Sequence, residues 1–392
     1  MAIVDRAEFP RVKLCGGWVS APIWDALALA AREYTGGLWE WNSCHVSYSG
    51  EARTIPCHGW FIRRFELDDF LLRRSGADLH LGTAVHDIVR DGDGLWSVGG
   101  LRARHLVGAG GTNCPVARMV APPRPSGPVG VQEHEFAADR AAIARTRAGR
   151  DGEPELLLHD DLRGYSWNVP KTDWLNVGSG TVEPHEVRAA WQKARAHFTA
   201  AGHVPPESAA ELEAMKGHTY YLFDPTHLEG AVRPPPAGQT SAGAVLLCGD
   251  SLGLAQPLTA EGILPAVLSG RLAAEAILAG APESYPTRLG AHPVLEDYRR
   301  VYRLREAAAA FAGRSSEGKA EDKTAAKTTE TGNGKSNGNS NGGSTPGSRF
   351  ARRAVANGFA WMFSGARFPA PRLVDAGLAI AERFADNRRR RA

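Results

Sequence analysis

The sequence predicts a fold of the α/β or α+β class over roughly its first 313 residues. Two short apolar runs stop at glycine, "RHLVGAGG" at 104–111 and "AVLLCGD" at 244–250. Runs of this kind are typical of parallel strands that are buried on both faces. A third segment, "YSWNVPKTDWLNVGSG" at 165–180, alternates apolar and polar residues and predicts an antiparallel hairpin that turns at Pro170 and Lys171.

The bulk composition is that of a globular protein. The chain has 392 residues, of which 43% are hydrophobic, and a formal net charge of +3, which is too small to indicate a nucleic-acid partner. No run of 18 apolar residues predicts a membrane span, and the first ten residues lack the apolar core of a signal peptide, so we expect a cytoplasmic location. Neither a disulfide framework nor a zinc site is indicated, because the cysteines are odd in number and scattered. They are Cys15, Cys44, Cys57, Cys114 and Cys248.

Composition changes sharply after residue 313. Residues 314–348 contain no aromatic residue and no Ile, Leu, Val or Met, so we predict a disordered linker. Residues 349–392 regain apolar spacing and carry ten Arg against three acidic residues. We predict a basic amphipathic helical tail, which either contacts an anionic membrane or packs back on the rest of the protein.

The glycine-ended runs predict a ligand site. In open α/β sheets, cofactors bind in the crevice at the carboxyl ends of the strands, where glycine lets the backbone approach a phosphate or sugar closely. Asp250 follows Gly249 at the end of the second run, and its carboxylate either holds a ribose or ribityl hydroxyl or caps a helix. A helix is predicted to begin near Glu261 or Gly262, with N-terminal amides that can face an anionic group.

Five sequence blocks, which follow one another in the same order as in the family, resemble the geranylgeranyl reductase family of FAD-dependent oxidoreductases. They are "DRAEFPRVKLCGGWVS" near the start, "RRFELDDFLLRRSGA" at 63–77, "LVGAGGTNCPVAR" at 106–118, "YSWNVPKTDWLNVGSG" at 165–180 and "CGDSLGLAQPLTAEGILPAVLSGRLAA" at 248–274. The resemblance spans roughly residues 1–280. It implies a p-hydroxybenzoate hydroxylase-like fold, in which an α/β FAD-binding domain carries an inserted antiparallel-sheet substrate domain.

On this resemblance we predict five segments. They are the first part of the FAD-binding domain at 1–120, the substrate-cavity sheet domain at 121–240, the closing part of the FAD-binding domain with its following helices at 241–313, the linker at 314–348 and the tail at 349–392. Family members begin with a G-x-G-x-x-G unit that holds the pyrophosphate, whereas this chain starts at what looks like the next strand. We therefore expect an N-terminally incomplete fold, through a missed start or a true loss, with weak FAD binding and an exposed sheet edge.

The resemblance implies a set of FAD contacts. Asp250 would hold the ribityl chain, Asp5 would bond the adenosine ribose, and Arg64 would donate to the phosphates or the ribityl chain. Helix amides at Gly262 would face the flavin. The full set is Asp5, Arg6, Arg64, Gly108, Gly110, Gly249, Asp250, Pro257, Gly262 and Ile263. Structural alternatives are that Asp68 caps the helix that follows Arg64 and that Arg63 is solvent-exposed.

Two further blocks imply the catalytic and substrate residues. The turn Cys15-Gly16-Gly17 resembles the block that approaches the flavin, and Cys15 either supplies a proton or only packs. Tyr165, Trp167 and Lys171 lie in the segment that lines the substrate cavity in the family. Aromatic walls suit an apolar, prenyl-like substrate, although an aromatic stripe at strand spacing is also typical of core packing.

The implied reaction is hydride transfer from reduced FAD to a C=C bond of a prenyl or other apolar small molecule. One alternative is a flavin-dependent monooxygenase that hydroxylates an aromatic or polyketide-like substrate, and another is a degenerate, non-catalytic remnant. A flavin halogenase is a poorer match, because its lysine has no counterpart here. We expect an external electron donor, NAD(P)H or a ferredoxin-like protein, because the sequence shows no second nucleotide-binding fold.

Overall fold

The computed structural model describes most of the chain before residue 307. The described residues are 1–121, 124, 127–146, 152–233 and 243–306. The predicted linker at 314–348 and the predicted basic tail at 349–392 lie outside the described residues. Within the described residues, the strands form four sheets.

Two pairs of short strands run parallel, and the two glycine-ended runs form one of these pairs. Strand β1 (Ala2–Val4) pairs in parallel with β5 (Asp78–His80), and β9 (Leu106–Gly108) pairs in parallel with β16 (Val245–Leu247). Strand β15 (Val232–Arg233) runs antiparallel to β16 on its other side. The predicted parallel pairing of the two apolar runs is therefore confirmed.

Of the two glycine-ended strands β9 and β16, β9 is not buried on both faces. Strand β16 is fully buried, but Val107 in β9 is 45% exposed, so the prediction of double burial is wrong for β9. Strand β9 lies at the edge of its three-stranded sheet, and a neighbouring helix covers only the side of Gly108. A separate antiparallel sheet consists of β6 (Ile88–Arg90), β7 (Trp96–Val98) and β8 (Leu101–Ala103).

The largest sheet has eight strands. They are β2 (Trp18–Val19), β3 (Leu38–Tyr48), β4 (Glu51–Ile62), β10 (Val129–Ala137), β11 (Glu155–Leu158), β12 (Gly164–Lys171), β13 (Trp174–Thr181) and β14 (Lys216–Tyr220). Their spatial order is β14-β10-β13-β12-β11-β3-β4-β2, and only β3 and β11 pair in parallel. The sheet extends beyond the predicted segment 121–240, because β2, β3 and β4 join it.

Strands β12 and β13 form the predicted hairpin, but its turn lies two residues later than predicted. Lys171 pairs with Trp174, so the turn consists of residues 172–173. Pro170 remains inside β12 because β11 reaches only residues 165–168, and the missing proline N–H therefore breaks no bond to that neighbour. The prediction of a turn at Pro170 and Lys171 is wrong for this reason.

Eight helices flank the sheets within the described residues. They are α1 (Pro22–Leu27), α2 (Arg64–Arg74), α3 (Pro115–Val120), α4 (Arg140–Arg145), α5 (Val187–Ala200), α6 (Ile263–Leu278), α7 (Tyr285–Gly290) and α8 (293–306). Helix α6 begins directly after Gly262, as the sequence predicted. Across the described part of the chain, we find no helix with the length and apolar character needed to span a membrane.

The two faces of the eight-stranded sheet pack against different partners. Tyr165, Trp167 and Val169 share one face, as predicted, where they pack with side chains of β3 and β4. Helix α5 covers the opposite face. The residues packed there include Phe136, Leu175, Val177, Trp191, Ala194 and Phe198. This alternation divides the sheet into an aromatic face, which contains Trp167, and a helix-covered face.

Tyr285 holds the strand that leads to Gly249 and Asp250, because its buried hydroxyl donates to Leu247 O at 2.8 Å. We expect Tyr285→Phe to lower the free energy of unfolding by about 1–2 kcal/mol, since it removes a donor from a buried carbonyl. Tyr298→Phe is the matched control, because among the described residues the buried Tyr298 hydroxyl has no hydrogen-bond partner. Urea denaturation measures both variants, and equal losses would argue against this hydrogen bond.

Candidate active site

The Cys15-Gly16-Gly17 turn lies against the end of β4. Gly17 has a φ of 71°, and its carbonyl accepts from Ile62 N at 2.8 Å. A Cβ on Gly17 would lie 1.9 Å from Ile62 O and 2.9 Å from Lys171 Nζ. Only glycine fits between these groups, so the backbone of β4 and a lysine together fix the position of the turn.

The lysine belongs to a buried network of charges. Lys171 is 0% exposed, and its Nζ donates to Ile62 O at 2.9 Å and to Glu135 at 2.5 Å. Arg63 Nε donates to the same Glu135 at 2.9 Å, and its guanidinium stacks on Trp174 at 3.4 Å. The expectation of a solvent-exposed Arg63 is wrong, because the partly buried Glu135 carboxylate and the Trp174 ring hold its guanidinium, which leaves the side chain 14% exposed. Lys171 thus holds structure together, and its contact with substrate stays a prediction.

A chain of hydrogen bonds connects the turn to the aromatic face of the sheet. Trp167 Nε1 donates to Asn176 Oδ1 at 2.7 Å, and Asn176 Nδ2 donates to Cys15 O at 3.1 Å. The indole ring lies across Gly178, where a Cβ would come within 2.3 Å of it. The structure therefore brings together two distant predicted residues, the candidate acid Cys15 and the candidate substrate residue Trp167.

Five charged side chains meet beside the turn. Lys13 Nζ lies 3.6 Å from Asp250 Oδ2. Arg64 forms a bidentate pair with Asp68, with N–O distances of 2.6 and 2.8 Å. Arg11 approaches Asp68 at 3.4 Å. We call these residues the charged cluster; it contains three cations and two carboxylates.

The cations of this cluster crowd one another. The pKa of Lys13 is lowered, first by the positive charge of Arg64 and then by burial, although Asp250 opposes this shift. Burial also lowers the pKa of Arg64, but Asp68 and Cys15 more than offset that effect, so the net shift is upward. Two partly buried cations at such proximity form a site that an anion would stabilise.

Asp68 does not cap a helix, so that structural alternative is wrong. Helix α2 begins at Arg64, with Arg63 at the cap position, and Asp68 lies one turn further along. Residues four apart share a helix face, and Arg64 and Asp68 therefore pair within the helix. This pairing orients the guanidinium that the resemblance assigns to FAD.

A serine joins the glycine-rich ends of β9 and β16. Ser251 Oγ accepts from Gly111 N at 2.9 Å and donates to Gly111 O at 3.2 Å. Gly249 has a φ of 56°, and its N–H donates to Ser269 Oγ of α6 at 2.9 Å. The predicted residues Gly249 and Asp250 therefore lie between the end of β16 and helix α6.

Gly108 and Gly110 have packing explanations of their own. A Cβ on Gly108 would lie 2.7 Å from Leu247 and 2.9 Å from Val116 of α3. A Cβ on Gly110 would lie 3.3 Å from Cys114. These glycines allow α3 to pack closely on the two parallel strands, and their contact with a cofactor stays a prediction.

The start of α6 faces the charged cluster. Gly262 is the N-cap residue and makes no side-chain cap, and Ile263 is the first residue of the helix. A Cβ on Gly262 would lie 3.3 Å from Asp250 Oδ1, so these two predicted residues are neighbours. Burial raises the pKa of the preceding Glu261 to about 7, although a backbone N–H of α6 donates to its carboxylate.

Three predicted residues are positioned by other elements. Asp5 follows β1, and its carboxylate accepts from Ala7 N at 2.8 Å, while Arg6 is exposed. Both belong to the β1/β5 pair, a sheet separate from the one that holds β9 and β16. Pro257 lies on the loop before α6, where its carbonyl accepts from Arg305 at 3.1 Å. The cofactor contacts of these three residues stay predictions.

The aromatic face is dominated by uncharged side chains. The Tyr165 hydroxyl donates to Thr259 O at 2.5 Å, and burial raises the pKa of both Tyr165 and Tyr220. Burial and the nearby charge of Lys13 lower the pKa of His218 to about 4. These three side chains are therefore neutral at physiological pH, and they form a partly buried, weakly polar wall.

Glu133 is an ionisable residue on the aromatic face that the sequence analysis missed. It is 2% exposed, and within the described chain its Oε1 has no hydrogen-bond partner. Burial raises its pKa to about 8, with Lys171 opposing the shift and Glu135 reinforcing it. Strand β10 places it opposite Gly178 and so beside the Trp167 ring. Alternation in the sequence predicts a strand here but does not show which face meets the site.

Comparisons with known sequences find reductases among the relatives of this chain. No family model matches the chain. A menaquinone reductase of Mycolicibacterium smegmatis is 28% identical over 341 residues, which cover 74% of this chain and 75% of that protein. A chloroplastic geranylgeranyl diphosphate reductase of Oryza sativa is 30% identical, but over only 45% of this chain and 34% of that protein.

Comparisons with solved structures identify the fold. A triple mutant of the flavin-dependent brominase Bmp2 has a TM-score of 0.57 at 17% identity, and the match covers 97% of this chain and 93% of that one. PqsL of Pseudomonas aeruginosa, a "probable FAD-dependent monooxygenase" by name, has a TM-score of 0.51 at 18% identity, with coverages of 74% and 84%. The chain has the p-hydroxybenzoate hydroxylase-like fold. The predicted fold is thus confirmed.

The sequence relatives and the structural neighbours also agree on a broad class. They support an enzyme of the FAD-dependent oxidoreductase superfamily, as the sequence predicted. They do not single out the geranylgeranyl reductase family, because reductases, a monooxygenase and halogenases all appear among them. The reaction and the substrate must therefore be argued from the site itself.

The contact at Gly17 leads to a stability prediction. We expect Gly17→Ala to lower the free energy of unfolding by about 3 kcal/mol or more, because the new Cβ would collide with Ile62 O in addition to adopting a positive φ. Gly50→Ala is the matched control, since Gly50 has a φ of 80° and nothing lies within 4 Å of its Cβ position. The control should lose only about 1–2 kcal/mol. Chemical denaturation measures the free energy of unfolding of both variants. Similar losses would show that the structure shifts enough to relieve the collision.

Proposed function

We propose that the chain binds FAD between the Gly16-Gly17 turn, the charged cluster and the start of α6. The donor set fits the cofactor. The crowded cations Lys13 and Arg64 suit phosphate or carbonyl oxygens, the Asp250 carboxylate suits ribityl hydroxyls, and the start of α6 suits an electron-rich ring edge. The two glycines leave bare backbone beside this set, which suits a planar ring.

The crowding of Lys13 and Arg64 is the observation that carries the cofactor proposal. Each guanidinium or ammonium group has a carboxylate partner, yet the partly buried cluster retains one excess positive charge. An excess of buried charge is costly unless a further group neutralises it. An anionic cofactor would supply that group.

We expect Lys13→Met to weaken FAD binding about tenfold, which corresponds to about 1.4 kcal/mol, because a charge-assisted contact is lost. Arg73→Met is the matched control, since Arg73 lies on the exposed side of α2 and pairs only with Asp69 among the described residues. Titration of the purified full-length protein with FAD, followed by flavin fluorescence, gives both affinities. Equal affinities for the two variants would argue against a cofactor role for the charged cluster.

We further propose that the enzyme reduces a C=C bond in a prenyl or similarly apolar chain. The aromatic face supports this substrate class, because the buried Trp167 and the partly buried Tyr165 and Tyr220 form a wall of neutral rings. The names of the two sequence relatives also favour it, since they are reductases of menaquinone and of geranylgeranyl diphosphate, and both compounds carry isoprenoid chains.

Reduction of a C=C bond needs a hydride on one carbon and a proton on the other. When bound, FAD supplies two-electron chemistry and, in its reduced form, the hydride. Glu133 is suited to supply the proton, because its raised pKa keeps it protonated at pH 7 and it lies on the aromatic face. Cys15, the acid that the resemblance suggested, is the other candidate donor, and its thiol lies beside Arg64.

The proposal needs an electron donor from outside the chain. NAD(P)H or a ferredoxin-like protein would fill this role. Membrane contact, which would bring a lipid substrate to the site, depends on the basic tail at 349–392 and therefore on residues outside the described structure.

A flavin-dependent monooxygenase is the second candidate, because PqsL shares the fold and carries that name. Product analysis separates the two reactions. Under anaerobic conditions a reductase converts substrate to a product with two more hydrogen atoms. A monooxygenase is inactive without oxygen, and in air its product gains one oxygen atom.

We expect Glu133→Gln to slow anaerobic reduction of menaquinone or geranylgeranyl diphosphate about 100-fold, because the amide is a poor proton donor. The wild-type rate should fall above about pH 8, where Glu133 loses its proton, and the variant should lack this fall. Mass spectrometry of the product over a pH series measures both. Cys15→Ser tests the other donor in the same assay, and a full loss there with no loss in Glu133→Gln would assign the proton to Cys15.

Stability provides an independent check on Glu133. Its folded-state pKa of about 8 exceeds the ordinary value of 4.5, so the folded protein holds this proton more tightly than the unfolded chain does. The contribution of Glu133 to the free energy of unfolding is therefore largest below pH 4.5. It falls by about 2–4 kcal/mol as the pH rises toward 8. Glu133→Gln removes this loss, and the variant should gain on the wild type between pH 5 and pH 8. Parallel stability curves would show that Glu133 has no raised pKa.

A further inference from the structure

A second group of ionisable side chains lies on the helix-covered face of the sheet. Glu155 is on β11, His197 is in α5, and His203 follows the end of that helix. One ligand atom from each of these three residues lies within 4.8 Å of the other two. Glu155 pairs with Asn168 across the strands, which places it on the face opposite Trp167.

Two of the three side chains are buried, since Glu155 is 3% exposed and His203 is 4% exposed, while His197 is partly exposed. His197 Nε2 lies 3.3 Å from Glu155 Oε1, and His203 Nδ1 lies against Glu155 Oε2. The Glu155 carboxylate therefore contacts both imidazoles. A carboxylate and two imidazole nitrogens at these separations can hold one metal ion between them.

The surrounding structure holds these side chains in position. Asn168 Nδ2 donates to His203 O at 2.6 Å, and His203 N donates to Phe198 O at 2.8 Å. The loop after α5 is therefore fixed on both sides of the imidazole. In the described chain, the neighbouring Asn168 Oδ1 is a buried oxygen without a hydrogen-bond partner.

We propose that Glu155, His197 and His203 form a binding site for a divalent transition-metal ion, and for Zn²⁺ in particular. Two imidazoles and one carboxylate are a ligand set that zinc accepts, with a fourth position left for water or another oxygen. The spacing of the cysteines does not indicate this site, because its ligands are a carboxylate and two imidazoles. They come from a strand, a helix and a loop. The bound ion would join the end of α5 to β11.

This site is independent of the proposed flavin chemistry. It lies on the other side of the sheet from Glu133 and the Cys15 turn, and none of its residues belongs to the charged cluster. A failure of the metal proposal therefore leaves the FAD proposal intact, and the converse also holds.

Zinc binding by the full-length protein tests the proposal. The purification tag is removed and the protein is dialysed against a chelator before titration calorimetry with ZnCl₂ at pH 7.5. We expect about one equivalent to bind and Tm to rise by about 5 °C in excess zinc. Binding should weaken strongly at pH 5.5, because protonated imidazoles cannot bind metal.

Variants assign the bound ion to the site. His197→Gln and His203→Gln should each lose the zinc equivalent and the Tm rise, while all five free cysteines remain unchanged. His185→Gln is the matched control, because His185 is an exposed histidine near the start of α5 and should keep both. His197 is partly exposed, so its variant should fold, which circular dichroism checks. Absence of zinc binding in the wild type, or unchanged binding in both site variants, would overturn the proposal.

Discussion

The contact between Gly17 and the Ile62 carbonyl determines where the rest of the site can lie. It leaves no room for a side chain, and the buried Lys171 closes it from the other side. Strand β4 is part of the eight-stranded sheet, so this one contact fixes the turn relative to every residue on the aromatic face. Trp167 reinforces the arrangement through Asn176. A turn and a sheet that are far apart in sequence thereby become two walls of one site.

The sheet separates two kinds of chemistry by a single layer of backbone. On the aromatic face, burial keeps Glu133 protonated and His218 neutral, which suits proton transfer near an apolar chain. On the helix-covered face, the Glu155 carboxylate contacts the imidazoles of His197 and His203. Strand alternation produces both surfaces, since adjacent residues point in opposite directions.

The sequence predicted the features that depend on local pattern. The parallel run ending at Gly249, the hairpin and the helix start after Gly262 all follow from nearby residues, and the resemblance added the fold. The predictions were wrong where residues distant in the sequence determine whether a side chain is exposed. Arg63 is only partly exposed because Glu135 and Trp174 contact it from other strands, and Val107 is exposed because β9 lies at an edge. Glu133 and the candidate metal ligands were missed for the same reason, since no spacing in the sequence links residues that only the tertiary fold assembles.

The position of the Trp167 ring over Gly178 limits how related chains can diverge. The indole occupies the space into which a side chain at 178 would project, and Glu133 Cβ of β10 lies 2.8 Å from the same position. The two positions therefore cannot change independently. A homologue with a bulkier residue at position 178 needs a smaller one at position 167. Such a paired replacement would enlarge or reshape the pocket without altering the strand register.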